Sequence, residues 1–246
     1  MTNVVIPMAG AGSRFLNAGY LMPKPFINVC GVVMIEKVLE NLEIKNARYI
    51  LIAREEHLLT EESFFERLRE KYNCEILTVN KLTEGAACTI LLSCRLINND
   101  NPLLLANSDQ IVEMDMGNFI YDSVKRKLDG CILTFPANHP KWSYAKTDSN
   151  GHLVELREKE VISEHATVGL YYYQRGRDFV NSAIQMIANN DRVNNEFYTA
   201  PAYNYSVKNG LRIGIYGIQE SQMYGLGTPE DLNIYIEHLK DLEKKT

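Results

Sequence analysis

A loop rich in small residues, followed by two cations, is the part of the chain best suited to chemistry. It runs Met8-Ala9-Gly10-Ala11-Gly12 after a short apolar segment, and Arg14 and Lys24 follow. Small residues let backbone N–H groups approach an anion closely. A guanidinium binds phosphate oxygens in a bidentate manner, and an ammonium can stabilise charge that develops at a reacting phosphorus. The pattern predicts a site for the phosphates of a nucleotide.

Two common nucleotide-binding motifs do not fit this loop. The dinucleotide-binding fingerprint needs a glycine where Phe15 stands and an uninterrupted helix where Pro23 and Pro25 stand. A Walker-type loop would end in Gly-Lys-Ser or Gly-Lys-Thr, which does not occur here. An ordinary strand-to-helix turn with surface cations remains the alternative.

A carboxylate follows another apolar run. The segment Leu103 to Asn107 continues into Ser108 and Asp109. One or two carboxylates together with substrate phosphates suffice to bind Mg²⁺, so Asp109 is the candidate metal ligand, for Mg²⁺ or Mn²⁺ in its place. The alternative is that Asp109 caps the turn after the strand.

The elements that position these residues alternate between short apolar runs and longer amphipathic stretches. The predicted strands of the first half are Val4 to Met8, Tyr49 to Ala53, Glu75 to Val79, Leu103 to Asn107 and Cys131 to Phe135. The predicted helices are Met34 to Glu43, Glu61 to Tyr72, Gly85 to Leu96 and Met116 to Leu128. This alternation is typical of a parallel sheet with helices on both faces, in which ligands lie at the carboxyl ends of the strands.

The pattern changes after Phe135. Asn150-Gly151 predicts a β-hairpin between Tyr144 to Thr147 and Leu153 to Glu158. Further predicted elements are a strand from Thr167 to Gln174, a helix from Phe179 to Asn189, a strand from Leu211 to Ile218 and a helix starting at Thr228-Pro229-Glu230. We expect one domain over residues 1–246, with a nucleotide-binding half at 1–130 and a substrate-facing half at 131–246.

Composition narrows the class of protein. The 246 residues are 46% hydrophobic and carry a net charge of −5. That charge argues against a nucleic-acid surface, and no apolar run reaches the length of a membrane span. Five scattered cysteines without metal-ligand spacing indicate free thiols, and the start of the chain lacks a signal-peptide pattern, so we expect a cytoplasmic protein.

The loop resembles that of the sugar-1-phosphate nucleotidyltransferase family, whose signature is GxGxR followed by a PK motif. Here Gly10, Gly12 and Arg14 are followed by Pro23-Lys24-Pro25-Phe26. The resemblance implies a Rossmann-like α/β/α fold with a mostly parallel mixed sheet, similar to that of GT-A glycosyltransferases. It also implies attack of an acceptor phosphate on the α-phosphate of an NTP, with release of pyrophosphate.

The resemblance also assigns candidate roles along the chain. Arg14, Lys24 and Lys159 would be catalytic, and Glu158-Lys159 matches the family's EK pair for the acceptor. The residues at the nucleotide would be Met8, Ala9, Gly10, Ala11, Gly12, Glu84, Gly85, Ala86 and Ser108. Those at the acceptor would be Glu158, Lys159, Gly169 and Glu196. The alternative interpretations are that Glu84 only begins a helix and that Glu158-Lys159 is only a solvated strand end.

One position departs from the family pattern. Gly225 stands where many members carry an aspartate that binds a second metal. The short chain is most similar to cytidylyltransferases of capsule and surface-polysaccharide pathways, which implies CTP and a small phosphorylated acceptor as partners, with a homo-oligomer possible. Alternatives are a uridylyl- or thymidylyltransferase, a glycosyltransferase (although Asn107-Ser108-Asp109 has one carboxylate rather than DxD), and a non-catalytic nucleotide-binding regulatory subunit.

Overall fold

A computed structural model describes residues 1–244 and shows strands and helices that alternate along the first half of the chain. The strands are β1 (Thr2–Pro7), β2 (Asn28–Val29), β3 (Val32–Val33), β4 (Ala47–Arg54), β5 (Cys74–Val79), β6 (Leu103–Ala106), β7 (Gln110–Val112), β8 (Gly130–Pro136), β9 (Ser143–Thr147), β10 (Leu153–Glu158), β11 (His165–Tyr173), β12 (Ile213–Gly217) and β13 (Met223–Gly225).

The helices lie between these strands. They are α1 (Ser13–Asn17), α2 (Met34–Asn41), α3 (Glu55–Thr60), α4 (Glu62–Tyr72), α5 (Ala86–Leu91), α6 (Cys94–Ile97), α7 (Met116–Lys125), α8 (Gly176–Ala188), α9 (Ala202–Lys208) and α10 (Pro229–Glu243). Two 3₁₀ turns cover Lys24–Phe26 and Glu220–Gln222. No helix within residues 1–244 combines the length and the apolar character that a membrane crossing requires.

A mixed sheet of nine strands organises the described residues. Its main path runs β10-β9-β11-β6-β1-β4-β5, and β8 pairs with β11 and with β12. The parallel pairs β1–β4, β1–β6, β4–β5 and β8–β12 and the antiparallel pairs of β11 give every strand the direction of β1 except β10 and β11. The predicted mostly parallel mixed sheet is therefore confirmed.

Successive side chains of the sheet belong alternately to two separate hydrophobic cores of the described residues. In β1, Val4 and Ile6 belong to the core that contains α2, α4, α7 and α10. Val5, between them, belongs to the core that contains α5, α6, α8 and α9. Because successive residues of a strand point to opposite faces, this division places helices on both sides of the sheet. The three-layer α/β/α architecture is confirmed.

The second half also folds as its pattern predicts. β9 and β10 form the hairpin around Asn150-Gly151, where Gly151 has φ +77°. The terminal helix α10 begins at Pro229, and the hydroxyl of Thr228 accepts a hydrogen bond from the backbone N–H of Asp231 at 3.1 Å. This satisfies one of the free N–H groups of the first turn.

Several details differ from the prediction. The single helix predicted from Gly85 to Leu96 is wrong: it is broken into α5 and α6 around Ser93, whose hydroxyl donates to the carbonyl of Ile90 at 2.6 Å. Such local bonding competes with the regular helix. The short pairs β2–β3 and β7–β13 and the helices α3 and α9 were not predicted, because segments of two to seven residues are too short to show a period.

The start of α8 requires glycine, which gives a test of the packing. A Cβ on Gly176 would lie 2.1 Å from the carbonyl oxygen of Ile97. Gly176→Ala should lower the free energy of unfolding by about 1–3 kcal/mol, since overpacking forces the backbone apart. Urea unfolding measures the change. Gly217→Ala is the control, because a Cβ there meets no heavy atom of residues 1–244 within 4 Å; equal effects of the two substitutions would contradict the assignment.

Candidate active site

The phosphate loop leaves the carboxyl end of β1 and turns into α1. Met8 and Ala9 are buried, and the N–H of Met8 donates to the carbonyl of Ile52 at 2.8 Å, which anchors the loop to β4. Gly10 is exposed, and Gly12 has φ +62° as the residue before α1. The loop therefore begins from a fixed base and presents a backbone with little side-chain cover.

Lys24 is held beside this loop. Pro23 and Pro25 flank it in the 3₁₀ turn, and a Cβ on Gly12 would lie 3.4 Å from the Cβ of Lys24. Its ammonium group donates to Oδ2 of Asp109, and the two side chains are only 19% and 20% exposed. The structure thus joins the predicted catalytic lysine to the predicted metal ligand.

Gly227 completes this cluster, although the sequence analysis did not single it out. A Cβ on Gly227 would lie 2.9 Å from Asp109 Oδ2 and 3.9 Å from Arg14 Nη1. The N–H of Leu226 donates to the carbonyl of Asp109 at 2.7 Å, which holds the strand before Gly227 against the loop that contains Asp109. Arg14, Lys24 and Asp109 therefore converge around a residue without a side chain. The signal in the sequence was Gly225-Leu226-Gly227 before the capped helix α10.

A different carboxylate lies next to Gly225. A Cβ at this position would be 3.6 Å from Asp231 Oδ2, while Asp231 Oδ1 pairs with Lys141 Nζ at 3.4 Å. Within residues 1–244, no group of three or more His, Cys, Asp or Glu side chains could hold a metal ion by itself.

The predicted nucleobase loop packs against a distant segment. Gly85 has φ +126°, and a Cβ there would lie 2.5 Å from the carbonyl oxygen of Phe197. The N–H of Phe197 donates to the carbonyl of Glu84 at 2.7 Å, and the N–H of Ala87 donates to the carbonyl of Phe197 at 3.0 Å. The Glu84 carboxylate pairs with Arg192 Nη2 at 2.7 Å. This pairing was not predicted, and a base amine at Glu84 would share its carboxylate with Arg192.

Glu158 lies at the end of β10 and is half-buried. The hydroxyl of Ser143 donates to its Oε2. Burial raises the pKa of Glu158 above the usual glutamate value, and this effect exceeds the opposing ones of Ser143 and Lys159; the charge of Glu196 raises the pKa further. The side chain therefore faces the protein and not bulk solvent, unlike Arg157 beside it, which is exposed.

Lys159 extends from the same strand end toward Tyr198. Its backbone has φ +59°, and its N–H donates to the carbonyl of Trp142 at 3.0 Å. Its Nζ donates to the hydroxyl of Tyr198 at 2.6 Å and lies 4.7 Å from the centre of the same ring. Glu196 is exposed, and its N–H and carbonyl bond with Val193 in a tight turn. The EK pair is thus brought close to the segment that contains Glu196.

Gly169 packs against the side chains on either side of Ser108 and Asp109. It has φ +96°, and a Cβ would lie 2.0 Å from Gln110 Oε1 and 2.4 Å from Asn107 Nδ2. Gln110 Oε1 is buried and finds no hydrogen-bond partner in the described part of the chain. Ser108, which lies between Asn107 and Gln110 in the sequence, is also buried. Glycine at 169 allows these side chains to fit against β11.

The chain belongs to the nucleotidyl transferase family. The family's sequence model, described as "Nucleotidyl transferase", matches residues 3–208. This span includes the phosphate loop, Asp109 and the EK pair, but not Gly227.

Individual relatives are distant. The bifunctional protein GlmU of Methanococcus aeolicus is 25% identical over 175 residues, which are 70% of this chain and 40% of the relative, so the chain spans well under half of that protein. A nucleoside-diphosphate-sugar pyrophosphorylase from Vibrio cholerae RC9 has a TM-score of 0.81 at 24% identity, covering 95% of this chain and 99% of that one. The inositol-1-phosphate CTP transferase from T. maritima has a TM-score of 0.73 at 13% identity, covering 97% and 94%. These structures share the fold of this family member.

The raised pKa of Glu158 predicts how stability depends on pH. The folded-state pKa lies above the model-peptide value of 4.5, so the folded protein binds this proton more tightly than the unfolded chain does. The resulting stabilisation is complete below the unfolded pKa and is lost as pH rises through the folded pKa. Glu158→Gln stays neutral, so its unfolding free energy relative to the unsubstituted protein should increase with pH across this window.

Urea unfolding at a series of pH values measures this difference. The control is Glu160→Gln, which removes one exposed charge from the same segment. A difference between Glu158→Gln and the unsubstituted protein that stays constant with pH would show that the carboxyl is not buried as described.

Proposed function

We propose that this protein transfers a nucleoside monophosphate from an NTP to a small phosphorylated acceptor and releases pyrophosphate. The observation that carries the proposal is the convergence of Arg14, Lys24 and Asp109 around Gly227 beside the phosphate loop. Family membership supports it. An oxygen of the acceptor phosphate forms the new bond to the α-phosphorus, and the bond from that phosphorus to the bridging oxygen of pyrophosphate breaks.

The cations act at different stages of this reaction. Arg14 binds oxygens of the leaving pyrophosphate together with backbone N–H groups of Gly10 to Gly12. Lys24 stabilises charge at the α-phosphorus, where negative charge builds up as attack proceeds.

The site suits Mg²⁺, or Mn²⁺ in its place, with Asp109 as the protein ligand. Magnesium often binds through one or two carboxylates and completes its shell with phosphate oxygens and water. A single carboxylate beside the phosphate loop fits that pattern, and Asp231 is held nearby by Lys141. When bound, the ion offsets phosphate charge and polarises the α-phosphate.

The acceptor binds on the side of Glu158 and Lys159. Lys159 contacts the acceptor phosphate and reduces the repulsion between two anionic substrates. Glu158 accepts hydrogen bonds from acceptor hydroxyl or amide groups. Gly169 and Glu196 form part of the wall of the acceptor pocket.

For the substrates we propose CTP as donor, and phosphoglutamine, converted to CDP-glutamine for a capsule or surface polysaccharide, as acceptor. Support comes from the resemblance to short cytidylyltransferases and from Glu84 as an acceptor for a base amine. A sugar-1-phosphate uridylyl- or thymidylyltransferase uses the same cation cluster and differs at the base. A non-catalytic nucleotide-binding subunit is the alternative of another class, and turnover separates it from both.

A pyrophosphate-release screen tests the proposal. Each of the four NTPs, and dTTP, is paired with sugar-1-phosphates, phosphocholine and phosphoglutamine under identical conditions. We expect release that depends on both substrates, with the highest kcat/KM for CTP. A higher value for UTP or dTTP would overturn only the base preference, whereas nucleotide binding without turnover across a broad acceptor panel would favour the regulatory subunit.

Removal of the metal or of its ligand should abolish most activity. Asp109→Asn retains the size of the side chain but loses the charge that binds the cation and pairs with Lys24. We expect a loss of activity of about a hundredfold or more, as for removal of a charge-stabilising group at a reacting phosphate. Asp115→Asn, at the cap of α7, is the control for a carboxylate outside the site. Turnover that survives both EDTA and Asp109→Asn would refute the metal assignment.

The two lysines should differ in their kinetic effects. Lys24→Ala should lower kcat, because its contact with the α-phosphate strengthens in the transition state. Lys159→Ala should raise the acceptor KM by about tenfold to a hundredfold, the worth of one charge-assisted hydrogen bond, and leave the NTP KM nearly unchanged. Steady-state kinetics with each substrate varied in turn decides between them. Equal effects of Lys159→Ala on both substrates would mean that Glu158-Lys159 is only a strand end.

A further inference from the structure

The side chain of Lys159 needs an external contact to hold its charge in place. Lys159 follows the last residue of β10, and its left-handed backbone takes it out of the strand. Four rotatable bonds separate its ammonium from the backbone, and fixing them costs conformational entropy. A lysine whose ammonium is already restricted by another group therefore loses less conformational entropy when it binds a phosphate.

Tyr198 supplies that group. Its hydroxyl accepts a hydrogen bond from Lys159 Nζ at 2.6 Å, which leaves the ammonium 4.7 Å from the ring centre, at the oxygen end of the ring. This hydrogen bond holds the ammonium near one position. The hydroxyl uses one of the three ammonium protons, so two remain to donate to an acceptor phosphate.

The segment around Tyr198 is itself fixed. Phe197 and Thr199, on either side, are buried. The backbone of Phe197 bonds to the carbonyl of Glu84 at 2.7 Å and to the N–H of Ala87 at 3.0 Å. Tyr198 is therefore attached through its neighbour to the predicted nucleobase loop.

We propose that Tyr198 is a positioning residue that holds the ammonium of Lys159 where the acceptor phosphate binds. The segment at Phe197 thereby sets the distance between the acceptor lysine and the nucleotide loop. This role rests on the proposed transfer reaction. Tyr198 acts through Lys159 and does not contact the reacting atoms.

Kinetics provide the first test. Tyr198→Phe keeps the ring and removes the hydroxyl, so the acceptor KM should rise by about tenfold, the lower range for a hydrogen bond to a charged group. The NTP KM and kcat should stay unchanged. In a Lys159→Ala background the same substitution should have no further effect, because the group that it positions is absent.

A matched control is available in α9. Tyr205 also has a lysine over its ring, Lys208 at 4.5 Å, and a hydroxyl bonded to a charged side chain, Asp191 at 3.2 Å. Tyr205→Phe should leave both KM values unchanged. A rise in the acceptor KM that persists in Lys159→Ala, or that Tyr205→Phe reproduces, would assign Tyr198 a merely structural role and overturn the proposal.

A second test does not depend on turnover. Limited acetylation by acetic anhydride, followed by mass spectrometry of peptides, measures the reactivity of the Lys159 amine relative to exposed lysines. Tyr198→Phe should raise the acetylation of Lys159 severalfold and leave that of Lys208 unchanged. Unchanged reactivity of Lys159 would overturn the proposal even in an active enzyme. Absence of transfer activity combined with increased reactivity would instead refute the proposed reaction and retain the contact.

Discussion

The ion pair between Lys24 and Asp109 joins two segments that are 85 positions apart in the chain. β1 and β6 are neighbouring parallel strands, so the loops after their carboxyl ends meet at one edge of the sheet. Both charges are about four-fifths covered, and each would be an uncompensated, poorly solvated charge without the other. The phosphate loop, the prolines around Lys24 and the glycine at 227 all have to accommodate this pair.

The antiparallel strand β11 connects the hairpin that ends in Glu158 to the same region. β11 lies between β6 and β9, and Gly169 within it lies against Asn107 and Gln110 beside Asp109. β9 and β10 then carry Ser143, Glu158 and Lys159 at their ends. The mixed character of the sheet therefore connects the hairpin that ends in the EK pair, encoded late in the chain, through β11 to β6, the strand that precedes Asp109. A purely parallel sheet would continue with a helix crossover at this point.

Sequence patterns predicted the fold class because it has a local signature, and residue types and spacing named the candidate site residues. The alternation of apolar runs and amphipathic stretches identified the major strands, and Asn150-Gly151 identified the hairpin. The phosphate loop with Arg14 and the segment ending at Asp109 are recognised by residue types within a few positions, so both could be named as candidate sites. The break at Ser93 has no such signal, so the single helix predicted there was wrong. The two-residue strands have none either, and they were not predicted.

The sequence by itself determined the candidate residues for phosphate and metal binding and the strands that precede them. Only the tertiary structure decided which partner each candidate meets: Lys24 meets Asp109, Arg14 lies near Gly227, Glu84 pairs with Arg192, and Lys159 bonds to Tyr198. These partners lie from 39 to 213 positions apart along the chain. The order of the strands in the sheet brings them together, and no local period of the sequence does. A contact of that kind depends on how the sheet is assembled and on single backbone conformations such as φ +59° at Lys159, which no spacing of residue types encodes.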